Sequence, residues 1–374
     1  MATTTTIPFF GLERQYRTLR EEILATSDQV YKSGRVLDGE HTREFERQIA
    51  KRCHRRYAVA VNSGTQALVF AQRLLYPENA KVLIPCMSFV ATINSVLASN
   101  HTPVLCDVDD EGLINLDSLD HTLNDIGVAG ITYVNLFGNV VDWNRFKLAT
   151  QFFNSNIKII EDAAQSFGAK YQGQPSGSLG DLSILSFDPT KNLPNYGSGG
   201  MILCDDLMQY TTLINYRDNG KRTNHEIVGT NSKMSENDCA QMLVKLSYFD
   251  QWQRRRSEIA EYYSRELAPF VYVPQIADYC EHAWHKFVIR SRYRDELRNF
   301  LGYKEIETRI HYDKPLYEYD VGVNYINLLP ELYRKANDFA LTCLSLPIYP
   351  ELTDPEVEYV VDSFREFFNR QWRH

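Results

Sequence analysis

No stretch of this chain approaches the ~20 consecutive apolar residues that a membrane-crossing helix needs. Met1 to Pro8 also lacks the basic n-region and the apolar core of a secretory signal. A cytoplasmic chain with no membrane partner is therefore expected. CxxC pairs are absent. The seven cysteines, Cys53, Cys86, Cys106, Cys204, Cys239, Cys280 and Cys343, are odd in number and scattered, which argues against a disulfide framework and against a zinc or other metal site. They read as small buried apolar residues. Cys86 lies near the site developed below, so a thiol role there is the lesser reading. Basic excess is absent as well. A formal net charge of −8 argues against nucleic acid as the main partner, and the run Arg254 to Arg256 reads as the solvated face of a helix. Neither G-x-G-x-x-G after the first strand nor G-x-x-x-x-G-K-[ST] occurs, which excludes the dinucleotide fingerprint and the Walker loop. No internal repeat or low-complexity tract is visible.

What is present is a long, regularly alternating chain. At 374 residues it can hold two domains and a large core. Strand-like runs at Tyr57 to Val61, Lys81 to Pro85, Thr102 to Asp107, Gly130 to Leu136, Lys158 to Asp162, Leu182 to Phe187 and Met201 to Cys204 are separated by helical patterns. That alternation predicts an α/β layered domain with a mostly parallel sheet. The N-terminal part, through about Glu46, predicts an arm plus a first helix interrupted by Gly34 and Gly39. A long helix is predicted from Met234 to Leu267, stopped by Pro269, and bridging to a smaller C-terminal domain. That domain carries strand candidates Ala283 to Arg290 and Glu307 to Tyr312 and a closing helix from Asp354 to Trp372. The expected division is 1–250 and 251–374.

Within this frame Lys191 stands out, in SFDPTKNLPNYGSGGM (Ser186 to Met201), flanked by hydroxyls and glycines just past an apolar strand. Such a lysine is placed to make a Schiff base, the alternative being a surface charge. A lysine that holds pyridoxal phosphate needs a carboxylate facing the pyridine nitrogen, since a protonated ring is the electron sink. Asp162, at the C-terminal end of its strand, supplies one, and ligands of open α/β sheets bind outside those strand ends. A phosphate cup is offered by Asn62, Ser63, Gly64 and Thr65, a turn between a strand and the helix Gln66 to Leu75. The same turn also reads as an ordinary N-cap. Gly197, Gly199 and Gly200 read either as a plain turn or as backbone that approaches a cofactor closely.

The order of motifs resembles the DegT-type, pyridoxal-phosphate-dependent nucleotide-sugar aminotransferases of fold-type I. The resemblance runs from Ile7-Pro8-Phe9 and Gly39-Glu40 through NSGTQAL, PCMSFVATINSV, EDAAQSFGA, SFDPTKN with GSGGM, and GTNSKMSE, to RIHYDKPLY and LSLPIYP. It implies a three-layer α/β/α large domain of the aspartate-aminotransferase kind with a smaller α+β C-terminal domain. It also implies pyridoxal 5′-phosphate on Lys191, with Asp162 at the pyridinium and pyridoxamine 5′-phosphate formed during turnover. Gln165 would then lie near the phenolic oxygen, or else be a helix-surface amide. Phe89 would stack on the ring, or else pack in the core, and Gly64, Thr65 and Ser186 would hold the phosphate. Asn231 would reach the phosphate across an interface, making a homodimer with shared active sites. His311 and Tyr312 would line the sugar-nucleotide side. The implied reaction moves an amino group from L-glutamate to a 3-keto or 4-keto sugar nucleotide.

Departures from the family pattern fall at Ser198, where an acidic residue is common, at Pro194 and Asn195, and at Asp188. All are expected near the sugar. The Lys191-Asn192-Leu193 form leans toward 3-keto acceptors. Rival classes fare worse. A sugar dehydratase of this family has histidine at the lysine position, a desulfurase needs a cysteine on a glycine-rich loop, and a DNA-binding regulator needs a basic helix-turn-helix; none is found.

Overall fold

The computed structural model describes residues 6–119, 123, 127–153, 156–325 and 330–371. Seven strands form the main sheet: β1 (Tyr57–Val61), β2 (Lys81–Pro85), β3 (Thr102–Cys106), β4 (Gly130–Val134), β5 (Lys158–Asp162) and, beyond the two-residue strands β6 (Lys170–Tyr171) and β7 (Gln174–Pro175), β8 (Leu182–Ser186) and β9 (Gly200–Cys204). Their order is β1-β9-β8-β5-β4-β2-β3. β9 runs antiparallel to both neighbours, and the remaining pairs are parallel. The Tyr57 to Cys204 alternation therefore gives a mostly parallel sheet, as expected.

Period-two patterning sends alternate strand residues to opposite faces. Val59, Val61, Ile160, Ile184 and Ile202 share a buried cluster with Leu68 and Phe70 of α3 (Gly64–Leu75), Ile93 of α4 (Ala91–Ala98) and Leu213 of α6 (Leu207–Arg217). Ala58, Ala60, Leu185, Met201 and Leu203 pack instead with Leu19 of α1 (Leu12–Ser33), Phe45 of α2 (Glu40–Arg52) and Leu246 of α7 (Glu236–Leu267). A further cluster joins Leu83, Ile131 and Tyr133 to Phe146 of α5 (Trp143–Phe153). The result is helix, sheet, helix in three layers.

The N-terminal part holds two helices rather than one. Leu19, Ile23 and Val30 give α1 a buried stripe, and Gly34, at φ 66°, ends it with its N–H on the Tyr31 carbonyl. That left-handed turn is where glycine is cheap. α7 is the longest element. Its first half buries Met242, Leu246 and Phe249 in the large-domain cluster, and its second half buries Ile259, Tyr263 and Leu267 in a C-terminal one. It runs unbroken through residue 250, and Ser235 caps it by accepting from the Asp238 N–H at 3.0 Å.

The C-terminal part pairs β11 (Phe287–Arg290) with β12 (Cys343–Leu346) and adds α8 (Arg294–Tyr303), α9 (Arg334–Thr342) and α10 (Asp354–Gln371), while β10 (Cys280–Glu281) pairs with β6. Trp372, the expected end of α10, and Met1 to Thr5 of the arm lie outside the described residues. Two expectations fail here. Glu307 to Tyr312 is not a strand: Arg309 makes one isolated bridge to Ser345, and the chain then turns at His311 into Pro315, which has no N–H to extend a ladder. Nor is the helical run Arg254 to Arg256 solvated throughout: Arg254 is exposed and Arg255 half-buried. Arg256 is buried, its guanidinium donating to the carbonyls of Trp284 and Ile348 at 3.2 and 2.7 Å. Among the described residues no helix is long and apolar enough to cross a membrane, and no cluster of ligands for a metal ion is found.

Candidate active site

The strand ends of the sheet open into a cavity of about 350 Å³. β5 ends on Asp162 and β8 ends on Ser186, while α3 starts at Gly64 directly across from Ser186, so close that a Cβ on Gly64 would stand 2.8 Å from the Ser186 Cβ. Asp162, Lys191, Ser186, Gly64, Thr65 and Phe89 line the cavity, and so do Ser63, Gln165, Ser198, His311 and Tyr312. Both readings of the Ser63 turn hold together. The Ser63 hydroxyl caps α3, accepting from the Gln66 N–H at 3.1 Å, and the first turn of the helix still faces the cavity. A helix start of this kind presents free N–H groups to an anion.

The loop after β8 is tied down on all sides. The Lys191 N–H donates to the Asp188 carbonyl at 2.9 Å, the Asn195 N–H to the Phe187 carbonyl at 2.9 Å, and Asn192 Nδ2 to the Ala283 carbonyl at 2.6 Å. From α7, the buried Lys245 Nζ donates to the Pro194 carbonyl at 2.7 Å and sits over the Tyr196 ring. Of the departures from the family pattern, Asp188 and Ser198 line the cavity. Pro194 and Asn195 do not; they are buried loop supports, Asn195 Nδ2 donating to the Ser198 carbonyl at 3.0 Å. Gly197, Gly199 and Gly200 do not line it either. Gly200 brings β9 against the Ser63 backbone, where a Cβ would meet the carbonyl at 2.4 Å.

Electrostatics follow from burial. Burial raises the Asp162 carboxyl to about 6, opposed by the Ala164 N–H at 3.0 Å and by the charge of Lys191. Burial pulls the Lys191 amine down, opposed by Asp162 and Asp188. Gln165 is buried, not a surface amide. Its Oε1 accepts from the Phe137 N–H at 3.0 Å and its Nε2 donates to the Tyr312 hydroxyl at 3.1 Å, leaving one Nε2 proton free of these contacts. Phe89 is 52% exposed, not core, with its ring centroid 6.2 Å from that of Tyr312. His311 is bonded to the Ser345 hydroxyl at 2.8 Å, and burial, reinforced by Lys286 and Lys191, lowers it to about 3, so the ring is neutral. Cys86 is buried and outside the cavity, its thiol pushed well up by burial, and all seven cysteines are free thiols.

Of the residues to which the resemblance gives a cofactor or substrate role, Asn231 alone does not join this cavity. It is exposed, bridged to Asp218, next to Ser232 whose carbonyl accepts from the Asn62 N–H at 2.8 Å. Conversely, His285, Lys286, Arg309 and the arm residues Phe9 and Phe10 line the cavity without having been foreseen. Their signal was a His-Lys pair inside an otherwise apolar run, hidden because Ala283 to Arg290 reads as one strand while β11 starts only at Phe287.

With this geometry in place the comparisons with known proteins are direct. Residues 17–365 match the DegT/DnrJ/EryC1/StrS aminotransferase family. The dTDP-3-amino-3,4,6-trideoxy-alpha-D-glucose transaminase of Streptomyces venezuelae is 33% identical over 99% of this chain and 98% of that protein. The dTDP-3-amino-3,6-dideoxy-alpha-D-galactopyranose transaminase of Aneurinibacillus thermoaerophilus is 32% identical over 96% of this chain and 99% of that one. A crystal structure of S. venezuelae DesV superposes with a TM-score of 0.92 at 32% identity, covering 97% of this chain and 98% of that one. The chain belongs to the DegT/DnrJ/EryC1/StrS aminotransferase family.

Proposed function

We propose that this aminotransferase uses pyridoxal 5′-phosphate to move the amino group of L-glutamate onto the ketone of a nucleotide-linked keto-sugar, giving an amino-sugar nucleotide. The observation that carries the reading is a single cavity in which Lys191, Asp162 and the start of α3 meet. In kind, these groups fit the cofactor: an amine for its aldehyde, a carboxylate for its ring nitrogen, and N–H groups with hydroxyls for its phosphate. When bound, pyridoxal phosphate supplies the electron sink that lets an amino group leave one carbon and join another.

The chain's own residues divide the remaining work. The Lys191 amine anchors the cofactor and, once freed, takes a proton from the donor's α-carbon and returns one at the acceptor's ring carbon. Its lowered basicity favours the neutral form that this requires. Asp162 keeps a proton on the ring nitrogen, each charge stabilising the other in a buried place. Ser63, Gly64, Thr65 and Ser186 take the phosphate. The exposed face of Phe89 is free to stack on the ring, a contact of roughly 0.5–1.5 kcal/mol beyond burial. Gln165 has one Nε2 proton for the phenolic oxygen. His311, neutral, Tyr312 and Ser198 are read as sugar-side contacts.

A 3-keto acceptor is favoured, because both relatives above carry names of 3-amino sugars and the Lys191-Asn192-Leu193 form leans the same way. Exposed Asn231, outside its own chain's cavity, supports a homodimer in which it completes the neighbour's phosphate cup. Residues 1–250 are read as the cofactor domain and 251–374 as the smaller unit closing the cleft. The enzyme is assigned to the cytoplasm, since phosphorylated substrates do not cross membranes unaided.

Absorbance of the purified protein tests this reading. Added cofactor should give the long-wavelength band of a lysine-bound form, absent in Lys191→Ala; L-glutamate should bleach it and a 3-keto nucleotide sugar should restore it. A wild-type protein that takes up no chromophore would sink the enzyme reading. Restoration by none of a panel of 3-keto and 4-keto sugar nucleotides would undo the sugar assignment.

A further inference from the structure

One buried ammonium in the cavity has no task in this reaction. Lys286 is only 7% exposed, and it comes from the segment just before β11. Its Nζ lies 4.8 Å from the centroid of the Phe9 ring, and among the described residues it has no hydrogen-bond or ion-pair partner. Arg309 and the neutral His311 line the same cavity. A buried ammonium without a counter-charge is costly, and a cation–π contact offsets only a small part of that. Of the negative groups nearby, Asp162 belongs to the ring nitrogen, and Asp188, whose Oδ1 accepts from the Thr190 N–H and hydroxyl at 3.0 and 2.7 Å, favours the charged Lys286 but makes no hydrogen bond or ion pair with it. The cofactor's phosphate belongs to the start of α3. What remains to pair with the charged form of Lys286 is an anion that arrives with the substrate.

We propose that Lys286 binds an oxyanion of the substrate beside Lys191: the α-carboxylate of the amino donor or the diphosphate of the nucleotide sugar. This rests on the aminotransferase reading above. The carboxylate is the favoured source. Lys191 is the charge that acts most strongly on Lys286, and a donor's carboxylate is bonded to the very carbon that reacts there. A diphosphate is joined to the sugar's first carbon, removed from the ketone.

Two titrations of wild type, Lys286→Gln and Lys286→Arg separate the sources. L-glutamate is followed by absorbance of the cofactor-loaded protein, and thymidine diphosphate by calorimetry on protein without cofactor. The glutamine variant should weaken one of the two by about tenfold or more, equivalent to about 1.4 kcal/mol, and the arginine variant should restore most of the loss. A loss with L-glutamate assigns the carboxylate, and a loss with the diphosphate assigns the phosphate. Both affinities within twofold of wild type in Lys286→Gln would overturn the proposal. Should that variant fail to fold, Lys286→Met supplies the neutral side chain for the same two measurements. A wild-type chain that takes up no cofactor would count against the aminotransferase reading instead, and the diphosphate titration would still report on Lys286.

Discussion

Burial acts on Asp162 and Lys286 with opposite signs, raising the carboxyl to about 6 and lowering the ammonium to about 7. Removing a charge from water always favours the neutral form, which is the protonated acid in one case and the free amine in the other. For Asp162 the sign can be followed through to stability. Its ordinary value is 3.8 and its folded value about 6, so the folded state holds the proton more tightly than the unfolded one. In protein without cofactor that contribution is fully present below pH 3.8 and is lost as the pH rises through about 6. Two units correspond to about 3 kcal/mol. The stability difference between wild type and Asp162→Asn, from denaturant melts, should shift by that order between pH 4 and 6.5. With cofactor bound the shift should shrink, because a ring N–H⁺ stabilises the carboxylate; parallel pH profiles in both states would contradict the assignment. Lys191 and Asp162 were legible in the sequence because each follows an apolar strand whose end is a predictable place for a ligand. Lys286 was not, because only the true start of β11 reveals that it precedes the strand and faces a cavity.

At the scale of elements, one carboxylate joins the beginning of α2 to the beginning of α7. Glu236 is buried in the first turn of α7. It accepts from the N–H groups of Gly39, His41 and Thr42 at 2.8, 2.6 and 3.2 Å and from the Thr42 hydroxyl at 2.6 Å. Burial pushes this carboxyl up, but those hydrogen bonds outweigh it and hold it below its usual range. A carboxylate in a first helical turn also suits the helix dipole. Gly39 is required for the approach, since a Cβ there would meet Glu236 Oε1 at 2.3 Å. Glu236→Gln keeps the shape but loses the charge and one acceptor, and should lower stability by about 1–3 kcal/mol in denaturant melts; a change under about 0.5 kcal/mol would show the link to be incidental. The elements themselves were largely readable. The short apolar runs of the main-sheet strands and the three-to-four spacing along α7 are local signals. Glu307 to Tyr312 carries a strand-like pattern too, but its pairing is decided by β12, distant in sequence, and only Arg309 finds a partner there.

For the whole molecule, the layers were readable and the convergence was not. Nothing local announces that Phe9 of the arm will lie under Lys286, with His311 at a ring distance of 5.7 Å from Phe9. That meeting depends on the arm joining the C-terminal part, through the N–H of Ile7 on the Glu305 carbonyl at 2.8 Å and that of Phe9 on Glu307 Oε2 at 3.1 Å. Asn231 is the opposite case, a residue legible from its motif that the single chain leaves exposed. If it serves a neighbour, defects can be shared out. Lys191→Ala retains a sound Asn231, and Asn231→Ala retains a sound Lys191, so each variant is impaired by itself while a hybrid pair contains one cavity with both groups intact. Co-refolding the two in equal amounts makes about half of all pairs hybrid and should recover about a quarter of wild-type turnover. No recovery would place Asn231 in the service of its own chain. Two chains, each unable to work alone, would then hold one complete site between them.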